Sequence, residues 1–153
     1  MTRPLHRIDE HESKPRLLLH GLDHPLALQV IDVLAPSVDI VTFATPPLSF
    51  SDSRITVIHD VATKYFEHVK ETFSFALLFV GTTPVEQFMS MLEKLERDNT
   101  KTVVVIPVRK LGNYRSFVQY LKRFEQVVIL ILGDLYGGQI PENYSHLTKI
   151  VRN

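Results

Sequence analysis

Apolar residues cluster along this chain in six short, almost unbroken runs, at residues 16–22, 38–43, 54–59, 75–80, 102–108 and 126–132. Each is strand-sized, and continuous apolarity rather than alternation marks strands covered on both faces, as in a parallel sheet. Between the runs the apolar period changes. Ala62, Tyr65, Phe66, Val69 and Phe73 fall on one helical face, as do Val85, Phe88, Met89, Leu92 and Leu95, and again Tyr114, Phe117, Val118, Leu121 and Phe124. Such stripes of large side chains read as the sheet-facing sides of covering helices. Pro25 and Pro84 suit first helical turns, where a missing N–H costs little, and Gly112 or Asn113 can cap the helix that follows them. The predicted order is β-α-β-β-α-β-α-β-α-β, with an irregular link over 44–53 and, after Leu135, a loop and one short final helix. Strands alternating with helices imply right-handed crossovers and an open sheet. The expected fold is α/β: a doubly wound, mostly parallel sheet of six strands with helices on both faces.

Composition limits what such a fold does. With 153 residues, 44% of them hydrophobic and 22% charged, the chain builds one ordinary core and has no room for a second. Residues 1–14 lack a sustained apolar period and read as a flexible tail, leaving 15–153 as a single domain, which would also suit the N-terminal part of a longer protein. Lys+Arg and Asp+Glu are both 17, so no net field draws the chain to nucleic acid or to an anionic membrane. The absence of cysteine removes disulfides, thiolate metal sites and thiol catalysis. No apolar run reaches the length of a membrane span or a signal peptide, and the expected location is cytoplasmic.

In open α/β sheets ligands gather beyond the carboxyl ends of the strands, which directs attention to the turn after the first run, HGLDHPLALQ. A dinucleotide site wants glycine there, because backbone must approach a pyrophosphate and donate N–H groups from a helix N-terminus. Gly21, His24 and Ala27 stand at three-residue spacing. With these residues the chain resembles the Rossmann half of the extended short-chain dehydrogenases/reductases, the nucleotide-sugar epimerases and dehydratases, whose GxxGxxG turn it matches in one glycine and one small residue. The resemblance continues through His59-Asp60-Val61, similar to the family's acidic turn after the third strand, and Phe79-Val80-Gly81-Thr82, similar to the end of its fourth. Gly133-Asp134-Leu135-Tyr136-Gly137-Gly138 resembles its GxVYGP-like segment. The similarity spans roughly residues 16–138, carried by order and spacing more than by any single motif. It implies a cofactor site formed by Gly21, His24, Ala27, Asp60, Val61, Gly81 and Thr82, with Asp60 contacting an adenine ring. It also implies NAD(P) or another nucleotide as cofactor and a homodimer through helices 86–98 and 114–124.

The departures from the family bear on activity. Its chemistry uses a Tyr acidified by a Lys four residues on, with a Ser or Thr nearby, an ordinary general acid–base arrangement. Tyr114 stands near the expected place, but its fourth successor is Val118 and Lys122 follows a helical turn later; Tyr120 is followed at four by Phe124. Pro107 and Val108 occupy the end of the fifth run, where the hydroxyl residue belongs. His24 adds a Cβ where glycine allows close approach, which opposes the usual pose of intact NAD. No catalytic or metal residue is therefore assigned. The expected function is a non-catalytic, pseudo-dehydrogenase domain with a sensory, regulatory or interaction role, meeting a protein partner or further domains of a longer chain. Two alternatives stay open. One is a nucleotide-dependent epimerase or reductase with atypical site residues. The other is an inert receiver-like signalling domain, since residues 23–28 are similar to a receiver's acidic turn while Val80 or Gly81 would take the phosphoacceptor place. His20 and His24 lack the accompanying ligands of a metal motif, no GxSxG elbow supports hydrolysis, and the basic residues Arg109, Lys110, Arg115, Lys122 and Arg123 read first as a solvated helix face.

Overall fold

The computed structural model describes residues 13–44, 52–59, 69–81, 85–109 and 114–133. Along these the chain forms β1 (Arg16–His20), α1 (Ala27–Leu34), β2 (Asp39–Ala44), β3 (Ile55–His59), β4 (Phe75–Phe79), α2 (Val85–Arg97), β5 (Lys101–Pro107), α3 (Arg115–Leu121) and β6 (Val127–Leu132). All six predicted strands form, with bounds within two residues of the apolar runs. They make one sheet in the order β3-β2-β1-β4-β5-β6, and every pair is parallel. That includes β2 and β3, which no described helix separates. The ten intervening residues 45–54 reach up to about 33 Å, and returning along a strand needs only about 20 Å.

Strand continuity in apolar residues is explained by two covered faces. On one, Leu18, Val41, Ala76, Leu78, Val104 and Ile106 pack against Phe88, Met91, Leu92 and Leu95 of α2 and Phe117 and Leu121 of α3. On the other, Leu17, Leu19, Ile40, Ile55, Phe79 and Val105 cluster with Ile31 of α1. The doubly wound Rossmann-like arrangement is thus in place, with helices on both faces. None of the described helices is long and apolar enough to cross a membrane.

The predicted helical face from Ala62 to Phe73 needs correction where it can be seen. Residues 61–68 lie outside the described ones; residues 69–73 are not helical, and Phe73 is buried as the chain leads into β4. Their backbone groups are claimed elsewhere. The Glu71 carbonyl accepts from Lys94 Nζ at 2.9 Å, the Phe73 carbonyl from Thr100 Oγ1 at 3.1 Å, and Ser74 N–H donates to Arg16 O at 3.0 Å. Lys94, 3% exposed, also donates to the Asp98 carboxylate one helical turn on. Past that turn α2 stops on Asn99, which takes φ +58°, while Thr100 N–H reaches back to Leu95 O and Asn99 N–H to Glu96 O. This reciprocal pair satisfies two carbonyls the helix would otherwise leave open. The predicted final helix after Leu135 lies outside the described residues.

Candidate functional site

Strand β1 has β2 on one side and β4 on the other, so the chain leaves it in opposite directions and a crevice opens beyond the carboxyl ends of β1 and β4. Gly21 begins the turn there with φ +89°. A Cβ on it would stand 2.8 Å from both the Cβ and the carbonyl oxygen of Phe79 at the end of β4. Glycine is required at this point by contact between two strands and by backbone conformation, before any ligand is considered.

Three residues on, His24 turns inward. It is 5% exposed, and its ring lies parallel to that of Phe79, with centroids 4.2 Å apart and 13° between planes. Nδ1 accepts a hydrogen bond from Leu26 N–H at 3.2 Å, so that nitrogen carries no proton in this arrangement. His24 O accepts from Ala27 N–H and His24 N–H donates to Gly21 O, both at 2.9 Å. With Pro25 lacking an N–H, the backbone donors from His24 to Ala27 are all engaged within the turn. Ala27 is fully buried at the start of α1, where a larger side chain would press on the sheet.

On the other face of the sheet, His20 at the end of β1 meets Phe88 of α2 edge-on at 5.2 Å. Phe88 meets Phe117, and Phe117 meets Tyr114, each at 6.0 Å, so an aromatic row runs from the end of β1 to the start of α3. The Tyr114 hydroxyl donates to Gly81 O at a long 3.4 Å. Gly81 itself faces Asp23: a Cβ there would meet Asp23 Oδ2 at 3.5 Å, an ordinary contact. Val118 packs at the margin of the α2–α3 core and Lys122 is exposed. Pro107 ends β5 and Val108 is 45% exposed.

Of the residues expected from sequence, Gly21, His24, Ala27 and Gly81 meet around the ends of β1 and β4. Asp60, Val61 and Thr82 lie outside the described residues. The pairings of His24 with Phe79, of His20 with Phe88 and of Phe88 with Phe117 were not legible in sequence, since these partners are separated by tens of residues and no spacing links them. Among the described residues no group of three or more His, Asp or Glu gathers to hold a metal ion.

His20 offers a direct electrostatic test. Burial lowers its pKa from the ordinary 6.5, against a smaller upward pull from Asp23. The folded protein therefore holds His20 neutral where the unfolded chain would protonate it. Its stabilising contribution is complete above the unfolded value and is lost as pH falls through that value toward the lower folded one. Urea unfolding is expected to show a midpoint that drops between about pH 7.5 and pH 5.5; in His20→Phe, which keeps an aromatic contact to Phe88, the drop is expected to be smaller. Equal slopes in the two proteins would mean that His20 is not the group responsible.

Comparison with known proteins agrees at the level of fold. No family model and no curated protein matches the chain. Among solved structures, it is similar to a wide-type short-chain dehydrogenase/reductase from Veillonella parvula in complex with NADP, at TM-score 0.60 and 15% identity, covering 82% of this chain and 72% of that one. It is also similar to a UDP-N-acetylglucosamine 4-epimerase from Methanobrevibacter ruminantium in complex with UDP-N-acetylmuramic acid, at TM-score 0.60 and 10% identity, covering 88% of this chain and 59% of that one. The fold is shared with short-chain dehydrogenases and epimerases.

Proposed function

We propose that this fold has been kept while its dinucleotide chemistry has not, and that the domain serves as a sensory, regulatory or protein-interaction module. The observation that carries this reading is the His24 ring. It occupies the inside of the turn, stacks on Phe79 and accepts the Leu26 N–H, while the neighbouring amides bond within the turn. A pyrophosphate arriving at the N-terminus of α1 could use the amides of His24, Leu26 and Ala27 only by breaking those bonds and moving a buried ring. The residues at the acid–base positions point the same way: Tyr114 is directed to the Gly81 carbonyl, and the place four residues on holds Val118 rather than a lysine.

The implied partner is another protein or a further domain of a longer chain. A homodimer through helices 86–98 and 114–124 would join polar surfaces. Glu93, Arg97, Arg115, Gln119, Lys122 and Arg123 are exposed, Phe117 is buried, and the Tyr120 hydroxyl donates to Glu93 at 3.0 Å. Sedimentation tests it, since a salt-sensitive dimer would fit charged contacts and a strict monomer would remove the mode.

The competing reading, a nucleotide-dependent epimerase or reductase with atypical residues, draws support from the NADP complex of a fold neighbour. Calorimetry with NAD(H), NADP(H) and nucleotide sugars separates the two. The expected result is no saturable binding below millimolar concentrations. Micromolar binding accompanied by turnover would establish the enzyme reading instead.

A further inference from the structure

Two histidines flank the glycine turn after β1. His20 meets Phe88 on the face of the sheet that carries α2 and α3, and His24 meets Phe79 on the face that carries α1. Of the two, His24 is built into the turn itself. Its buried ring accepts the Leu26 N–H at Nδ1, so the ring's one proton sits on Nε2. Three features of that place oppose an imidazolium. The second proton has to go onto Nδ1, where it would face the Leu26 N–H donor to donor. A charge on a buried ring loses its hydration. The ring also stands just before Ala27, at the positive end of the α1 macrodipole.

Neighbouring charges do little to offset this among the described residues. Asp23 shares the turn and favours a protonated ring, but its carboxylate lies beside Gly81. His20 is on the other face of the sheet, and the other charge of β1, Arg16, is at the strand's start over the Phe73 ring. β4, from Phe75 to Phe79, carries no titratable residue. β5 pairs with Phe79 through Val105 and has its Lys101 at the opposite end. The only charge of α1 is Asp32, paired with Arg54 at 2.6 Å.

We propose that this turn is a proton-released latch: the neutral His24 ring holds it closed on Phe79, and protonation drives the ring off Phe79 and frees the Leu26 N–H while the sheet stays folded. The closed turn binds the neutral ring, so it is complete above about pH 6.5, the ordinary histidine value, and is lost as pH falls below it. The bonds from His24 N–H to Gly21 O and from Ala27 N–H to His24 O do not involve the ring and outlast its release. Such a latch rests on the sensory reading of the domain and supplies a stimulus for it, acidification. Its test uses no nucleotide, so failure of the latch and failure of cofactor exclusion are told apart.

Amide exchange of the full chain, followed by NMR and corrected for the intrinsic effect of pH, reads the latch directly. Between about pH 7.5 and about pH 5.5 the protection of Leu26 is expected to fall roughly tenfold or more, while that of Ala27, Leu19 and Leu78 changes by less than about twofold. His24→Asn, whose Oδ1 can accept the same N–H and does not titrate, is expected to hold Leu26 protection level across that range. His20→Phe is expected to keep the full change. Should His24→Asn fail to fold, the ring nitrogens of His24 decide in the unaltered chain: their passage from the Nε2–H tautomer to imidazolium must share its midpoint with the Leu26 change, and separate midpoints overturn the proposal. Level Leu26 protection in the unaltered chain overturns it as well. So does a loss shared equally by Ala27 and the strands, which would be general unfolding, and so does a change that disappears in His20→Phe, which would assign it to the other histidine.

Discussion

Gly21→Ala is expected to lower stability by about 2–5 kcal/mol, combining the cost of a side chain in a left-handed conformation with that of forced overpacking. The backbone there has φ +89°, and the new methyl would lie 2.8 Å from the Phe79 Cβ and carbonyl oxygen. Neither neighbour is the free end of a flexible side chain, so relief requires β1 or β4 to shift, and those strands are paired through four residues each at the centre of the sheet. Such a loss is a large fraction of the stability of an ordinary domain. Gly81→Ala is the matched control. Its Cβ would meet only Asp23 oxygens at ordinary contact distance, and the expected change is under about 1 kcal/mol. Urea unfolding midpoints of the two variants give the comparison. Similar losses in both would show that the Phe79 contact does not account for the glycine at 21.

Lys94→Ala is expected to cost about 3 kcal/mol, at the low end for a broken buried ion pair because the Asp98 side chain is 22% exposed and can be partly hydrated. Two groups lose their partner at once. The Asp98 carboxylate loses its cation and the Glu71 carbonyl loses its donor, so the approach to β4 is released from α2. Lys94→Met, which keeps most of the alkyl stem but not the charge, is expected to recover the packing part of the loss only. Amide exchange separates this from a general weakening: the protection of Ser74 and Phe75 should fall more than that of β5. Uniform loss across the sheet would assign Lys94 to overall stability rather than to anchoring this segment.

These two residues show where sequence reading succeeds and where it stops. A glycine after the first apolar run was visible, and so was its place in a possible phosphate turn. Its immediate reason, the back of Phe79, lies 58 residues away and belongs to the tertiary structure. Lys94 sits on a helix whose apolar stripe was clear, yet nothing in its spacing marks a lysine as buried; only the Glu71 carbonyl and Asp98 make that position tolerable. The helical period from Ala62 to Phe73 misled at its end for a related reason. Val69 and Phe73 are spaced for a helix, but Lys94 and Thr100 take the carbonyls of Glu71 and Phe73, and β4 draws the chain into an extended path.

What the sequence determined by itself is the set of strands, the α/β class and the glycine turn at the end of β1, because burial on two faces writes continuous apolar runs and a turn at a strand end needs glycine. The covering helices α2 and α3 follow from their helical apolar period, and α1 from its place between the first two strands. Tertiary structure alone decided the strand order, the parallel sense of β3, and above all the state of the turn after β1. A histidine at position 24 is compatible with holding a phosphate and with excluding one. Where its ring goes is set by the Leu26 amide two residues on and by Phe79, which spacing along the chain cannot bring to it.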